Sequence, residues 1–267
     1  MAFVETKDGT RLFHREHGQG KPILFVHSLS ANSRLWEYQF AAFSERYRTI
    51  GFDRRGHGRS DIPASGYDAD TLADDLARVI EVLDLRDVTL VGHSMGCCEI
   101  ARYLSRYGSG RVARAVLLAP TTPFLLRTAD NPNGVPAEAF EALRAEWRKD
   151  YPKWIADNAA AFFVPDTSPA MMQWGIAMLQ EIALPVALAC NRMMTTTDFR
   201  GDLKRIDIPV LVLHGDKDVS AALALTGEPT AALLRHGRLK VIEGAPHGLI
   251  YTHMEQVNAD IFEFLKS

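Results

Sequence analysis

Short apolar runs rich in β-branched residues alternate along this chain with longer stretches of helical period. Pro22-Ile23-Leu24-Phe25-Val26 is apolar throughout, and Arg48-Thr49-Ile50-Gly51-Phe52 and Val88-Thr89-Leu90-Val91 repeat the theme. Strands that lack polar alternation are buried on both faces, which places these three at the centre of a parallel sheet. Ala115 to Leu118, Val210 to Leu213 and Leu239 to Ile242 supply three more strands. The opening differs: Phe3 to His17 alternates around a turn at Asp8-Gly9 and predicts an antiparallel hairpin at the sheet edge. Thr71 and Asp74 make a capping-box-like start for a helix whose apolar positions Leu72, Leu76, Val79, Ile80 and Leu83 share one face. Val257, Ile261, Phe264 and Leu265 mark a closing amphipathic helix. The pattern predicts an α/β fold with a mostly parallel sheet of about eight strands flanked by helices.

One stretch breaks the rhythm. Residues 122–197 contain no convincing strand but many helix formers, aromatics and methionines, punctuated by Pro132, Pro136, Pro152, Pro165, Pro169 and Pro185. The predicted organisation is a core of residues 1–121 and 198–267 with a small helical cap inserted at 122–197. Such an insertion can be ordinary packing, or a lid whose inner face makes an apolar pocket for an acyl or alcohol group. Phe124, Leu125, Phe162 and Trp174 are its candidate pocket residues. Arg127, Arg144, Arg148 and Arg192 are candidates for holding a substrate carboxylate, set against the ordinary fate of helix arginines in solvent.

Composition narrows the partners. The 267 residues carry 30 Lys plus Arg against 33 Asp plus Glu, a formal charge of −3, so no basic field exists to hold nucleic acid or anionic lipid. No run approaches the length of a membrane span, and the N-terminal stretch has neither a basic nor an apolar leader region. Three cysteines cannot pair fully, and the neighbours Cys97 and Cys98 would bridge only with strain, so the cytoplasm is the expected compartment. His14 and His17 face opposite sides of a strand and make a poor metal pair, and no metal or other cofactor is expected. Self-association is left open.

Gly92-His93-Ser94-Met95-Gly96 follows a predicted strand directly and precedes the helical stretch from Glu99 to Leu104. In that setting G-x-S-x-G is a nucleophile elbow, whose small flanking residues permit a strained turn that lifts a serine hydroxyl above the sheet. A serine nucleophile needs a base, and a neutral imidazole needs a group to orient it. Asp216 and Asp218 follow the strand ending at Leu213, and His247 follows the strand ending at Ile242. Loops at the carboxyl ends of parallel strands gather on one edge, so these distant positions can meet.

These pieces, with Asp53-Arg54-Arg55-Gly56-His57-Gly58-Arg59-Ser60 and Trp36-Glu37-Tyr38-Gln39, resemble the bacterial α/β-hydrolase family of arylesterases and cofactor-free haloperoxidases or perhydrolases, from end to end. The resemblance implies an α/β-hydrolase fold with Ser94, Asp218 and His247 as catalytic residues, and the backbone N–H groups of Leu29 and Met95 as oxyanion hole. Two departures stand out. Family members usually have glycine and then an aromatic residue where this chain has Ser28-Leu29, a pair similar to the oxyanion segment of 3-oxoadipate enol-lactonases; at positive φ, serine costs about 1 kcal/mol relative to glycine. After Asp218 the family commonly has Val-Pro, whereas here Val219-Ser220 follows, a change expected to alter mainly one pocket wall.

The leading expectation is a serine hydrolase of small carboxylic esters or lactones. Its alternatives are a cofactor-free perhydrolase or haloperoxidase, a carbon–carbon bond hydrolase, and a non-enzymatic ligand sensor on the same fold. Efficient perhydrolases resemble a pattern of aromatic residue then proline in the oxyanion loop. Leu29-Ser30 therefore predicts an acyl-enzyme that partitions mainly to water, with Ser30→Pro expected to favour perhydrolysis.

Overall fold

The computed structural model describes residues 2–266. Its strands are β1 (Phe3–Glu5), β2 (Arg11–His17), β3 (Pro22–Val26), β4 (Arg48–Phe52), β5 (Val88–His93), β6 (Val112–Leu118), β7 (Val210–Gly215) and β8 (Gly237–Ile242). They form one 8-stranded sheet in the order β1-β2-β4-β3-β5-β6-β7-β8. β1 and β2 are the antiparallel edge hairpin, closed by Asp8 accepting from the Thr10 N–H at 3.2 Å and by Gly9 at φ 83°. β2 runs antiparallel to β4, and β3 to β8 are parallel throughout.

Alternate residues of the central strands enter two cores. Leu24, Val26, Leu90, Leu117 and Val212 pack on one face beneath α2 (Ala69–Val82) and α3 (Met95–Tyr107). Ile23, Phe25, Val91, Val116 and Leu211 pack on the other beneath α1 (Glu37–Phe43) and the closing helix Met254–Lys266. Full burial of each such side chain contributes roughly 1.5–3 kcal/mol, which is why these runs need no polar alternation. Helix α2 starts earlier than the Thr71–Asp74 pattern predicts. Asp68 is its cap, accepting from the Thr71 N–H at 2.9 Å and the Thr71 hydroxyl at 2.8 Å. The stronger capping side chain takes the position and leaves Thr71 in the first turn.

Between β6 and β7 lie α4 (Ala137–Asn158), a 3-10 turn (Ala159–Phe162), α5 (Pro169–Leu179) and α6 (Leu184–Thr196). Helix α4 breaks at Asp150, with φ −160° and ψ 84°, just before Pro152, whose missing N–H cannot continue the ladder. Trp147, Tyr151, Ile155, Val186 and Met193 join the first core, and Phe163 and Met178 join the second, so the segment packs onto both. No single helix among the described residues is long and apolar enough to cross a membrane.

Parallel pairing decides where the chemistry gathers. Val26 stands opposite Gly92, and His93 opposite Leu118, so the segments leaving β3, β5 and β6 emerge side by side at one edge. The segments leaving β7 and β8 emerge at the same edge.

Candidate active site

Ser94 occupies the single position between β5 and α3 at φ 54° and ψ −118°, a conformation that non-glycine residues rarely hold. Its N–H donates to the Leu118 carbonyl at 2.9 Å, and its own carbonyl accepts from Cys97 at 3.0 Å, so strand and helix both clamp the turn. Close approach of backbone requires glycine at 96, and Gly92 is tightly crowded. A Cβ on Gly92 would lie 2.7 Å from Ile100 Cδ1, and one on Gly96 would run into the Val26 carbonyl and lie 3.0 Å from that of His27. The first turn of α3 thus rests directly on the end of β3.

The segments after β7 and β8 bring Asp218 and His247 together, with His247 Nδ1 donating to Asp218 Oδ2 at 2.7 Å. Two backbone donors and a second imidazole complete its surroundings. His214 Nε2 lies 3.2 Å from the same oxygen, and the N–H groups of Ser220 and Ala221 reach Oδ1 at 2.9 and 2.8 Å. Burial alone would raise this carboxyl, but the two imidazoles and the backbone donors outweigh it and hold Asp218 well below the usual carboxylate range. The departure at Val219-Ser220 therefore does more than alter a pocket wall. Proline at 220 would have no N–H, whereas Ser220 supplies one of the two backbone bonds to Oδ1.

His93, next to Ser94, donates from Nε2 to the His247 carbonyl at 2.9 Å, and the two rings lie 4.8 Å apart. This contact ties the loop bearing His247 to the elbow. Burial, helped by the neighbouring His247, pulls His93 down to about 3, which keeps it a neutral strut. Asp216 takes a different place: its carboxylate accepts from the Gly244 N–H at 2.6 Å and lies 3.3 Å from Lys217 Nζ, stitching the two loops together at the surface.

Leu29 lies in the turn after β3, and its N–H has no acceptor among the described residues. Met95 is the first residue of α3, where helix geometry leaves N–H groups unpaired beside the positive end of the dipole. The orientation of the Leu29 N–H follows from its peptide plane, because the opposite end, the Ser28 carbonyl, is held. His27 Nε2 accepts from the Arg54 N–H at 2.9 Å, so the proton of the neutral ring sits on Nδ1, which donates to the Ser28 carbonyl at 2.8 Å. Burial and the adjacent Arg54 hold His27 well below its ordinary value. Arg54 Nη2 also donates to the His27 carbonyl at 2.6 Å and forms a fully buried ion pair with Glu99. Burial pushes Glu99 up to about 7, against the pull of Arg54.

In this loop the positive φ falls on Ser30, at 64°, and Ser28 is not in that region. Serine in place of glycine at 28 therefore carries no backbone strain of that kind. The expectation for Ser30→Pro fails for the same reason: proline fixes φ near −65°, so it would remodel this turn instead of stiffening it. Ser30 Oγ is instead bonded to the Tyr151 hydroxyl of α4 at 2.6 Å.

The four candidate pocket residues occupy different places. The Phe162 ring lies 5.7 Å from His247 and 6.0 Å from His93, and its carbonyl accepts from the Gly248 N–H at 3.1 Å. Trp174 packs on Tyr251 at 5.5 Å, and Tyr251 in turn packs on Phe162 at 6.3 Å. Phe124 is covered by the Arg200 guanidinium at 5.1 Å, while buried Leu125 accepts from Val135 at 2.8 Å. Of the candidate arginines, Arg144 is buried and committed to Asn191, Thr195 and Glu141, and Arg127 donates to the Gly134 carbonyl at 3.0 Å. Arg192 is exposed near Glu141 at 3.7 Å. Among the described residues, no group of three or more His, Cys, Asp or Glu side chains could hold a metal ion, and all three cysteines are unpaired and buried.

Sequence reasoning passed over His93, His214, Arg54, Glu99 and Tyr151. A signal existed for Glu99, a carboxylate on the buried face of α3 that burial permits only with a cation.

The sheet architecture agrees with the comparisons. Residues 21–171 match the family model of the alpha/beta hydrolase fold. The chain belongs to that family. This hydrolase is 40% identical to the non-heme chloroperoxidase of Kitasatospora aureofaciens, over 99% of each chain. It is 34% identical to a bifunctional esterase/perhydrolase of Acinetobacter calcoaceticus, over 100% of both. An esterase from Exiguobacterium antarcticum superposes with a TM-score of 0.96 at 29% identity, covering 100% of this hydrolase and 99% of the esterase.

Proposed function

We propose that this hydrolase cleaves small carboxylic esters or lactones through an acyl-serine intermediate on Ser94. The observation that carries the reading is the 2.7 Å bond from His247 Nδ1 to an Asp218 carboxylate saturated with donors, on loops tied by His93 to the elbow. With its Nδ1 proton held there, neutral His247 presents Nε2 as an acceptor. Ser94 Oγ attacks the carbonyl carbon as His247 takes its proton, and the oxyanion accepts from the Leu29 and Met95 N–H groups. The leaving alcohol takes the proton from His247. Water, deprotonated by the same imidazole, then attacks the acyl carbon, releases the acid and restores Ser94.

Residues 122–197 act as the cap in this reading. Phe162 lines the wall beside His247, with Trp174 further out across Tyr251. The reaction needs no cofactor, and the three buried thiols suit the reducing cytoplasm. A second reading is favoured by the chloroperoxidase and perhydrolase relatives. In it, hydrogen peroxide replaces water on the acyl-enzyme, so the acyl group leaves Ser94 as a peracid. The turn at Ser30, which differs from the aromatic-proline pattern of efficient perhydrolases, supports water as the main acceptor. A rate screen over short p-nitrophenyl and phenyl esters, small lactones and enol-lactones, with and without peroxide, tests both. Turnover of esters or lactones in water is expected, and peracid formation outpacing hydrolysis would move the function to the second reading.

A further inference from the structure

We infer that Tyr151 is a positioning residue for the oxyanion loop: its hydroxyl, bonded to Ser30 Oγ, locks the turn that carries the Leu29 N–H. The inference rests on the ester-hydrolysis reading and deepens it by making the inserted helical segment part of the oxyanion machinery. The two hydroxyls meet at 2.6 Å across 121 positions of sequence, both in buried residues. The Leu29–Ser30 turn is anchored on its N-terminal side by the bonds that His27 and Arg54 make to the Ser28 carbonyl. On its C-terminal side Ser30 holds φ 64°, a conformation that serine leaves readily unless something retains it. The Tyr151 hydroxyl is the side-chain contact that retains it.

Helix α4 is built to deliver that hydroxyl. Its break at Asp150 comes one residue before Tyr151, and the Asp150 carboxylate caps the resumed helix by accepting from the Lys153 N–H at 3.0 Å. The ring is then held by Trp147, with centroids 5.0 Å apart, and by Trp154, parallel to within 3°. A second tie lies two residues further along the loop, where Asn32 Nδ2 donates to Glu181 Oε2 at 3.0 Å. Burial pushes the Tyr151 phenol up to about 12, so the bond persists across the working pH range.

The consequence is specific to the transition state. A substrate carbonyl needs little from Leu29, whereas a tetrahedral oxyanion needs that N–H aimed at it, and a displacement of about 1 Å costs on the order of 10² in rate. The test measures kcat, KM and inhibition by a short-chain trifluoromethyl ketone, which forms a tetrahedral adduct, for Tyr151→Phe, Ser30→Ala and the double variant. Each single change is expected to lower kcat by about ten- to a hundredfold with KM within about twofold. Ketone affinity should fall by the same factor, and the double variant should be no worse than the poorer single. A shift of the Leu29 amide resonance in Tyr151→Phe, with the melting temperature unchanged, would separate positioning from general loosening. Losses confined to KM, losses that multiply in the double variant, or kcat within twofold of wild type would overturn the inference alone. Wild-type protein inert towards the whole ester and lactone series would overturn the reading beneath it as well.

Discussion

Asp218→Asn replaces one carboxylate oxygen by an amide NH₂ at the most hydrogen-bonded polar position of the site. Asp218 accepts from the Ser220 and Ala221 N–H groups at Oδ1 and from His247 at Oδ2, with His214 Nε2 a further 3.2 Å neighbour of Oδ2. Asparagine has a single oxygen. If that oxygen stays on the two backbone N–H groups, its amide NH₂ must face His247, which can accept only by moving its proton from Nδ1 to Nε2. In the proposed mechanism Nε2 must accept the serine proton, so a proton already on it abolishes general-base catalysis. His214 cannot relieve the clash, because its Nε2 proton is already engaged by the Ala221 carbonyl at 2.7 Å. A wrong tautomer of this kind lowers kcat by about 10⁴, equivalent to about 5.5 kcal/mol of transition-state stabilisation. Steady-state hydrolysis of a p-nitrophenyl ester measures it, with Asp216→Asn as control. Asp216 only accepts from Gly244 and Lys217 at the surface, so its substitution should leave kcat within a few fold and lower stability by about 1 kcal/mol. Equal losses in the two variants, or a loss under tenfold in Asp218→Asn, would refute the reasoning.

Gly96→Ala would place a methyl group against the backbone carbonyls of Val26 and His27, so both hydrolysis and melting temperature should drop sharply, with a wild-type-like enzyme the contrary result. Stability should fall in mild acid. His27, His57 and His93 are buried neutral, the last two held down to about 3, so their stabilisation is complete above the unfolded value near 6.5 and is lost as pH falls. Glu99, raised by burial to about 7, and Asp75, also raised by burial, oppose them in part, so stability should fall as pH drops from about 6.5 towards 4.5. Urea titrations at four pH values would check it, and a flat profile over that window would contradict the buried assignments. Ser30→Pro must reverse φ from 64°, so ester hydrolysis should fall by about 10², and the contrary result would be full hydrolysis with raised peracid yield.

The strands were legible because burial on both faces writes itself as unbroken apolar runs, as in Ile23 to Val26 and Val88 to Val91. The elbow was legible because close backbone approach admits only glycine at 96 and crowds Gly92, and the motif that records this is local in sequence. What escaped has partners far along the chain. Nothing near Ser30 indicates that its hydroxyl meets Tyr151, and nothing near Arg54 points to Glu99, because those pairings depend on how α4 and α3 pack after the sheet has formed. Positive φ falls on Ser30 and not on Ser28 for a similar reason. Which residue of a turn takes positive φ is set by the hydrogen bonds on either side, and these come from His27, Arg54 and Tyr151.

The central claim is that Ser94 is the covalent nucleophile. Incubation with an organophosphonate or a fluorophosphonate ester, followed by intact-mass and peptide mass spectrometry, tests it most directly. The account predicts one adduct per chain on the peptide carrying Ser94, formed in step with the loss of ester hydrolysis and absent in Ser94→Ala. An adduct on another residue, or full inhibition without modification of Ser94, would contradict it.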